Sequence, residues 1–401
     1  MTGFRNRGVE ALVCPILAEL APRFDDPEVV VFTGSPEYDR RRPHGQNVRF
    51  RHEGTKAIGY GRLSRRLLRL GIDLGKTTYP GWVDLESSDL LIVTGGDVFS
   101  SEYGDWSFSR HLLPMQIAKR HKIPFVLFAQ SIGPFATERH KISFIQTAQH
   151  ASSISVREDR TYAYLTNELA LPANLVNRVS DPAFLLGVNQ ATADRERGLS
   201  NGRLKVSVSI SEGISDWTGV SREFRLSAWA ILCNRIVAQW DADIVLIPHV
   251  QEPYADDTIA CTDVWKATNY NSRVRVYAED FSASEFKGII SSCDMVIAER
   301  MHAGIAGLST GVCTSLIAYS VKARGIMEEM VGAELCSIGA LIEGAEFEQV
   351  DAVWDKLSMI WMQRVAISNR IQQRLELEKA RAMRGFECLS GLSSRNKPRV
   401  G

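Results

Sequence analysis

Nowhere in the 401 residues do about 18 apolar residues run together, the length that a membrane-spanning helix requires. The opening Met1-Thr2-Gly3-Phe4-Arg5-Asn6-Arg7-Gly8 lacks the apolar core of a secretory leader. Charge of one sign is not in excess either. Lys+Arg and Asp+Glu both number 47, so nothing in the bulk electrostatics draws the chain to nucleic acid or to an acidic membrane surface. Any membrane contact is therefore expected to be peripheral. None of the 7 cysteines forms a Cys-x-x-Cys pair, and an odd count cannot pair completely within one chain. They read as buried reduced thiols, which suits a reducing cytoplasm and sets the expected location. Gly-x-Gly-x-x-Gly, a Walker-type lysine and Gly-x-Ser-x-Gly are all missing, as are internal repeats and low-complexity segments. His249, with Asp256 and Asp257 close behind, has no recognisable metal-ligand spacing, so neither a metal nor a cofactor is expected.

What the sequence does contain is alternation. Short apolar runs at 29–32, 89–93, 124–128 and 153–156 are separated by helical periodicity near 108–121 and 138–150, after a first helix over 9–21. Such spacing predicts a parallel sheet covered on both faces. Residues 187–203 are polar and break the pattern. A second series follows, with strands at 205–210, 243–248, 273–276, 294–298 and 312–317 and helices between them, then a long helical region over about 347–385. The fold class is therefore α/β, with two Rossmann-like parallel-sheet domains and a cleft between them. The expected division is 1–190, a linker at 191–203, 204–346, and a C-terminal helical segment and tail at 347–401. A doubly wound domain normally begins with a strand, yet none precedes the turn Asn6-Arg7-Gly8. Either the first strand is absent or the start lies elsewhere.

The motifs that carry chemistry lie just after strands, where open parallel sheets bind ligands. The strongest is Asp294-Met295-Val296-Ile297-Ala298-Glu299-Arg300-Met301-His302-Ala303-Gly304, an apolar strand that turns into a helix. The helix start attracts anions, Arg300 can grip a carboxylate or phosphate through two bonds, and His302 can donate, accept or relay a proton. The structural alternative pairs Arg300 with Glu299 or an aspartate and has His302 cap the helix. Gly304, Gly307 and Gly311 read as packing residues. Tyr319 and Lys322 follow the next strand, with Lys322 able to neutralise a phosphate. In the first half, Thr94-Gly95-Gly96-Asp97 offers backbone N–H groups and a carboxylate, either a ligand for sugar hydroxyls or a base. Gln130 and Ser131 supply polar donors, and Arg157 is a second anion candidate unless it pairs with Glu158 or Asp159. Arg62, Arg65, Arg66 and Arg69 fall on one helical face, read as solvated, with contact to lipid headgroups as the alternative.

Taken in order, Asn6-Arg7-Gly8, Gly95-Gly96-Asp97, Gln130-Ser131-Ile132-Gly133-Pro134-Phe135, Val156-Arg157-Glu158-Asp159, Asp181-Pro182-Ala183-Phe184, Arg300-Met301-His302 and Tyr319-Ser320-Val321-Lys322 resemble the polysaccharide pyruvyl transferase family. The resemblance implies a GT-B-like fold, phosphoenolpyruvate as donor, and a sugar or lipid-linked glycan as acceptor that receives a ketal-linked pyruvate. The family's Arg-x-His element, associated with donor binding, maps onto Arg300 and His302. Many relatives carry an acidic residue directly after the Asn-x-Gly turn, whereas here Val9 stands there and Glu10 follows. On this basis Arg300 and the helix start hold the donor anions, with Lys322 or Arg157 assisting. His302 is the acid or a phosphate ligand, and Asp97 a base on the acceptor side. Asn6, Gly95, Gly96, Gln130, Ser131 and Tyr319 complete the expected substrate contacts. The alternatives are a glycosyltransferase that uses a nucleotide sugar and a non-catalytic scaffold in glycan assembly.

Overall fold

The structure is a computed structural model that describes residues 2–42, 44–52, 82–199, 202–318 and 321–393. The arginine stripe at Arg62, Arg65, Arg66 and Arg69 lies outside the described residues, as does Tyr319. The chain divides into two compact units. One comprises Met1–Phe4, Leu12–Pro182 and Ala380–Gly401, the other Arg5–Ala11 and Ala183–Lys379. The sequence reading put all of 1–190 in one domain. Here residues 5–11 group with the C-terminal unit instead, because their backbone pairs with residues near 250.

In the N-terminal unit, β1 (Val29–Thr33) pairs parallel with β2 (Val48–His52). A second parallel sheet runs in the order β3 (Leu91–Val93), β4 (Phe125–Gln130), β5 (Ser153–Val156) and β6 (Val176–Arg178). Every residue of β4 and β5 is buried, as continuous apolar runs in a covered parallel sheet require. Helices α1 (Arg7–Leu20) from Leu12 onward, α2 (Gly104–His121), α3 (Glu138–Ala148) and the short α4 (Asp159–Ala163) accompany these strands. Phe108, Phe135 and Phe144 pack in the core with Ile154 and Leu165.

The C-terminal unit holds a six-stranded parallel sheet in the order β11-β8-β7-β12-β13-β14. Its strands are β7 (Lys205–Ser209), β8 (Asp243–Leu246), β11 (Val274–Val276), β12 (Met295–Ala298), β13 (Cys313–Ala318) and β14 (Leu341–Glu343). The two residues of β9 (Gln251–Glu252) and of β10 (Ala255–Asp256) form a small hairpin. The strand order runs from β7 to β8 in one direction and from β12 to β13 in the other. The boundary between β7 and β12 is therefore the switch point, outside whose carboxyl ends an open α/β sheet presents its crevice.

Residues 190–198, expected to belong to a polar linker, form helix α5 (Gln190–Gly198). Asn189 caps it by accepting from the Thr192 N–H at 3.0 Å. It packs on α8 (Ala283–Ile290), where a Cβ on Gly288 would lie 2.7 Å from the Asn189 carbonyl oxygen. Its Glu196 is buried and accepts from the Tyr277 hydroxyl. The composition concealed this helix because polar contacts hold it.

Lys287, also on α8, is buried and donates to the carbonyl oxygen of Leu186 at 2.6 Å. Burial, and then the charge of Lys379, push its amine down to about 7. The unfolded chain binds that proton up to its ordinary value near 10.4, so stability rises with pH from about 7 upward, by at most about 1.4 kcal/mol per pH unit. We expect Lys287→Met to flatten this slope in urea unfolding between pH 7 and 9. An unchanged slope would show that the amine is charged in the folded protein.

Helices α6 (Arg222–Gln239), α7 (Asp257–Ala267), α9 (Met301–Leu308), α10 (Val321–Val331) and α11 (Val350–Met362) complete the unit, and α12 (Arg364–Ser393) contributes its residues up to Lys379. Trp240, at the end of α6, stacks on Trp361 of α11 with ring centroids 4.5 Å apart and planes 6° apart, and on Trp354 at 5.1 Å. Helix α9 lies close against β12 and β13. A Cβ on Gly304 would meet Leu316 Cδ2 at 2.2 Å, and one on Gly307 would meet Thr314 Oγ1 at 2.5 Å and Val296 Cγ2 at 2.8 Å. Gly307→Ala gains helix propensity yet overpacks this contact, for an expected net loss of about 1–2 kcal/mol. Urea unfolding reads it directly; an unshifted midpoint would mean that the helix has room to move.

Candidate functional site

The turn after β12 is built by two buried carboxylates. Glu299 continues the strand, its N–H donating to the Ser209 carbonyl oxygen at 2.9 Å. Its carboxylate accepts from Arg225 Nη1 at 2.7 and 2.9 Å, from Trp229 Nε1 at 2.7 Å and from the Ser211 N–H at 2.7 Å. Burial pushes the Glu299 carboxyl up, while Arg225 and these donors pull it back. The second carboxylate, Asp257, opens α7 and is 0% exposed. It accepts from the N–H groups of Val250 and Glu212, both at 2.9 Å. It also takes Arg300 Nη2 at 2.6 Å and Nε at 2.9 Å. Of the two structural partners open to Arg300, the aspartate is thus the one used, and Glu299 belongs to Arg225. Arg300 retains 22% side-chain exposure.

Arg300 occupies the N-cap position of α9 without making a side-chain cap bond, and His302 stands in the first turn, half-buried. The first turn of α1 packs against it. A Cβ on Gly8 would lie 2.5 Å from His302 Nδ1, so only glycine leaves the imidazole its place. Asn6 forms an antiparallel bridge with Val250, and its Oδ1 accepts from the Gly8 N–H at 3.0 Å. Arg7 is fully buried. Its backbone N–H donates to the His249 carbonyl oxygen at 2.9 Å, and its Nη2 to Gln251 Oε1 at 2.7 Å and Asp280 Oδ1 at 2.6 Å. Glu10 lies 3.6 Å from Arg7 Nη1 and accepts from the Ala283 N–H at 3.0 Å. The acidic residue that follows Val9 is therefore part of the same scaffold. His249 is 3% exposed, and neither of its ring nitrogens has a hydrogen-bond partner.

The turn at Arg300 and His302, outside the switch between β7 and β12, thus gathers residues 5–10, 249–257 and 299–302 in one unit. Of the residues singled out in the sequence, Arg300, His302 and Asn6 meet here. Lys322 lies in the first turn of α10, and its side chain is outside the described residues. Sequence reasoning missed Arg7 and Asp257 as members of the site and saw His249 only as a failed metal ligand. The one local signal for Asp257 is the Asp256-Asp257 pair ahead of a helical pattern, with Asp256 as N-cap.

A second polar cluster forms in the N-terminal unit beyond β3, β4 and β5. The Ser131 N–H donates to the Gly96 carbonyl oxygen at 2.6 Å, and Gln130 Nε2 to that of Val93 at 2.8 Å. Gly95 and Gly96 adopt φ values of 151° and 79°, which suit glycine. Arg157 is buried and donates from Nε to Ser131 Oγ at 2.8 Å and from Nη1 to Asp181 Oδ2 at 2.5 Å. Its partner is thus neither Glu158, which caps α4, nor Asp159, which binds Arg178 at 2.7 Å. Arg157 Nη2, Gln130 Oε1 and Thr94 Oγ1 are buried without hydrogen-bond partners. Asp97 is half-buried and accepts from the Tyr103 hydroxyl at 2.8 Å. Gly95, Gly96, Gln130, Ser131 and Arg157 therefore come together, with Asp97 next in the chain.

Among solved structures, the chain is similar to a UDP-GlcNAc 2-epimerase from Neisseria meningitidis bound to UDP-GlcNAc, at 10% identity and a TM-score of 0.60, covering 96% of this chain and 97% of that one. It is also similar to Alr3699/HepE from Anabaena in complex with UDP-glucose, at 11% identity and a TM-score of 0.55, covering 98% and 97%. A glycosyltransferase from Rickettsia africae matches at 10% identity and a TM-score of 0.51, covering 97% and 92%. At these identities the likeness is one of fold, the parallel-sheet α/β architecture with GT-B-like neighbours. No helix among the described residues is long and apolar enough to cross a membrane. Beyond fold, the sequence model for polysaccharide pyruvyl transferases matches residues 6–321, most of the chain, including Asn6, Asp257, Arg300 and His302, and the protein belongs to that family.

Proposed function

We propose that this chain moves the enolpyruvyl unit of phosphoenolpyruvate onto two hydroxyls of a sugar, in a polysaccharide or a lipid-linked glycan precursor, closing a pyruvate ketal and releasing phosphate. The observation that carries the reading is that the family match begins at Asn6, and the turn it opens packs against His302. In this reaction one hydroxyl adds to C2 of the enol phosphate while C3 takes a proton. The second hydroxyl then attacks the oxocarbenium-like centre as phosphate leaves. Of the two hydroxyl protons, one balances C3 and the other the departing phosphate. The reading assigns the donor's carboxylate and phosphate to Arg300 and the start of α9, with Lys322 assisting. His302 is the acid or a phosphate ligand. Asp97 serves as base for an acceptor hydroxyl. Arg157, its charge met by Asp181, holds the Ser131–Gly96 turn rather than the donor. The cytoplasm, where phosphoenolpyruvate is made and used, is the compartment this chemistry requires.

A second reading, a glycosyltransferase using a nucleotide sugar, draws on the fold shared with proteins solved with UDP-glucose and UDP-GlcNAc. Calorimetric titration of the full chain with phosphoenolpyruvate, UDP-glucose and UDP-GlcNAc separates the two. Saturable binding of phosphoenolpyruvate alone is expected; binding of a nucleotide sugar in its place would replace the first reading by the second.

A further inference from the structure

The basic residues around the turn after β12 bring little net positive charge of their own. Arg300 is matched by Asp257, and Arg7 by Asp280, with Glu10 3.6 Å from another of its nitrogens. An anion with two or three negative charges needs more than this, and imidazoles are the groups that acquire positive charge near neutral pH. His302 is half-buried. His249 is buried, with both ring nitrogens unpartnered, an arrangement that costs stability until a partner arrives. The charged and titratable groups around it are Arg7 and Glu10 of α1, Asp257 of α7, Asp280, and Arg300 and His302 at the start of α9. Burial, followed by the charges of His302, Arg300 and Arg7, holds its imidazole well below the ordinary range, so the ring is neutral without an anion.

We propose that His249 is a further ligand of the anion site, taking up a proton when a phosphate-bearing anion binds beside Arg300 and His302 and donating a hydrogen bond to it. The proposal rests on the pyruvyl-transfer reading for where the anion sits. The incoming negative charge offsets the field of the two arginines, and the orphaned ring nitrogen gains an acceptor. The proton comes from solvent and returns there when phosphate departs, so the overall reaction stays balanced.

The test uses the full chain labelled with 15N-histidine and titrated with phosphoenolpyruvate at pH 7.5. One histidine ring is expected to move to the imidazolium position in step with binding, and that signal is expected to be missing from His249→Asn, whose affinity falls about tenfold. Should His249→Asn fail to fold, calorimetry of the unmutated chain in two buffers of different ionisation enthalpy gives the proton uptake. His302→Gln, titrated until phosphoenolpyruvate saturates it, then serves as the control, and the uptake per bound donor is expected to persist in it. Phosphoenolpyruvate that binds while every buried ring stays neutral, or proton uptake that vanishes in His302→Gln, overturns this proposal and leaves the pyruvyl-transfer reading standing. No binding of phosphoenolpyruvate at millimolar concentration overturns both.

Discussion

Arg300→Ala is expected to weaken phosphoenolpyruvate binding roughly 10- to 150-fold, the worth of charge-assisted hydrogen bonds of about 1.5–3 kcal/mol. Two bonds to Asp257 hold the guanidinium in one orientation, so it meets an anion without first being ordered. Alanine also strands Asp257, a carboxylate with 0% exposure, and the variant will lose stability. Arg300→Lys separates these effects. It keeps a charge against Asp257 but loses the planar fork, so its affinity should fall between alanine and arginine while stability is largely restored. Calorimetry at fixed ionic strength, with circular dichroism to confirm folding, measures both. Folded alanine and lysine variants that bind the donor as tightly as the unmutated chain would remove Arg300 from the site.

Breaking the pair behind that turn should cost more stability than any other single change described above. Arg225 and Glu299 are both nearly fully buried, and four hydrogen bonds converge on the Glu299 carboxylate. Glu299→Leu leaves Arg225 buried and uncompensated, for an expected loss of about 3–5 kcal/mol. In a unit of this size that lowers the melting temperature by roughly 6–20 °C. Arg225→Met should cost a similar amount, and the double variant should recover much of the loss, because matched apolar groups replace a buried ion pair at little net expense. Urea unfolding of the four proteins completes the cycle. Strictly additive losses would mean that the two side chains act independently.

The order of elements was legible because the strands are short apolar runs buried on both faces, as Met295–Ala298 shows between β7 and β13. The strand-to-helix turn at Arg300 was legible for the same reason, since its neighbours in space are its neighbours in sequence. Its partners were not. Asp257 stands 43 residues from Arg300, and Arg225 stands 74 from Glu299, so no local pattern records that their charges cancel. That cancellation leaves an apparently cationic turn with each of these arginines matched by a carboxylate. The docking of Asn6 on Val250 bridges a greater distance still, and it moved the first turn of α1 out of the domain that the sequence had drawn for it. Helix α5 escaped notice for a different reason. Its anchors are the Asn189 cap and the buried Glu196, and periodicity weighs only apolar groups.

The stacked indoles of Trp240, Trp354 and Trp361 give the C-terminal unit an optical signature. Transitions of rings held in near-parallel contact couple to one another, and the coupling disappears when α11 leaves α6. Near-ultraviolet dichroism from this trio therefore follows the unfolding of the half that carries Arg300 and His302, with no label attached. Among the variants above, those that loosen only the turn leave that signal intact at low denaturant, and those that unfold the sheet extinguish it.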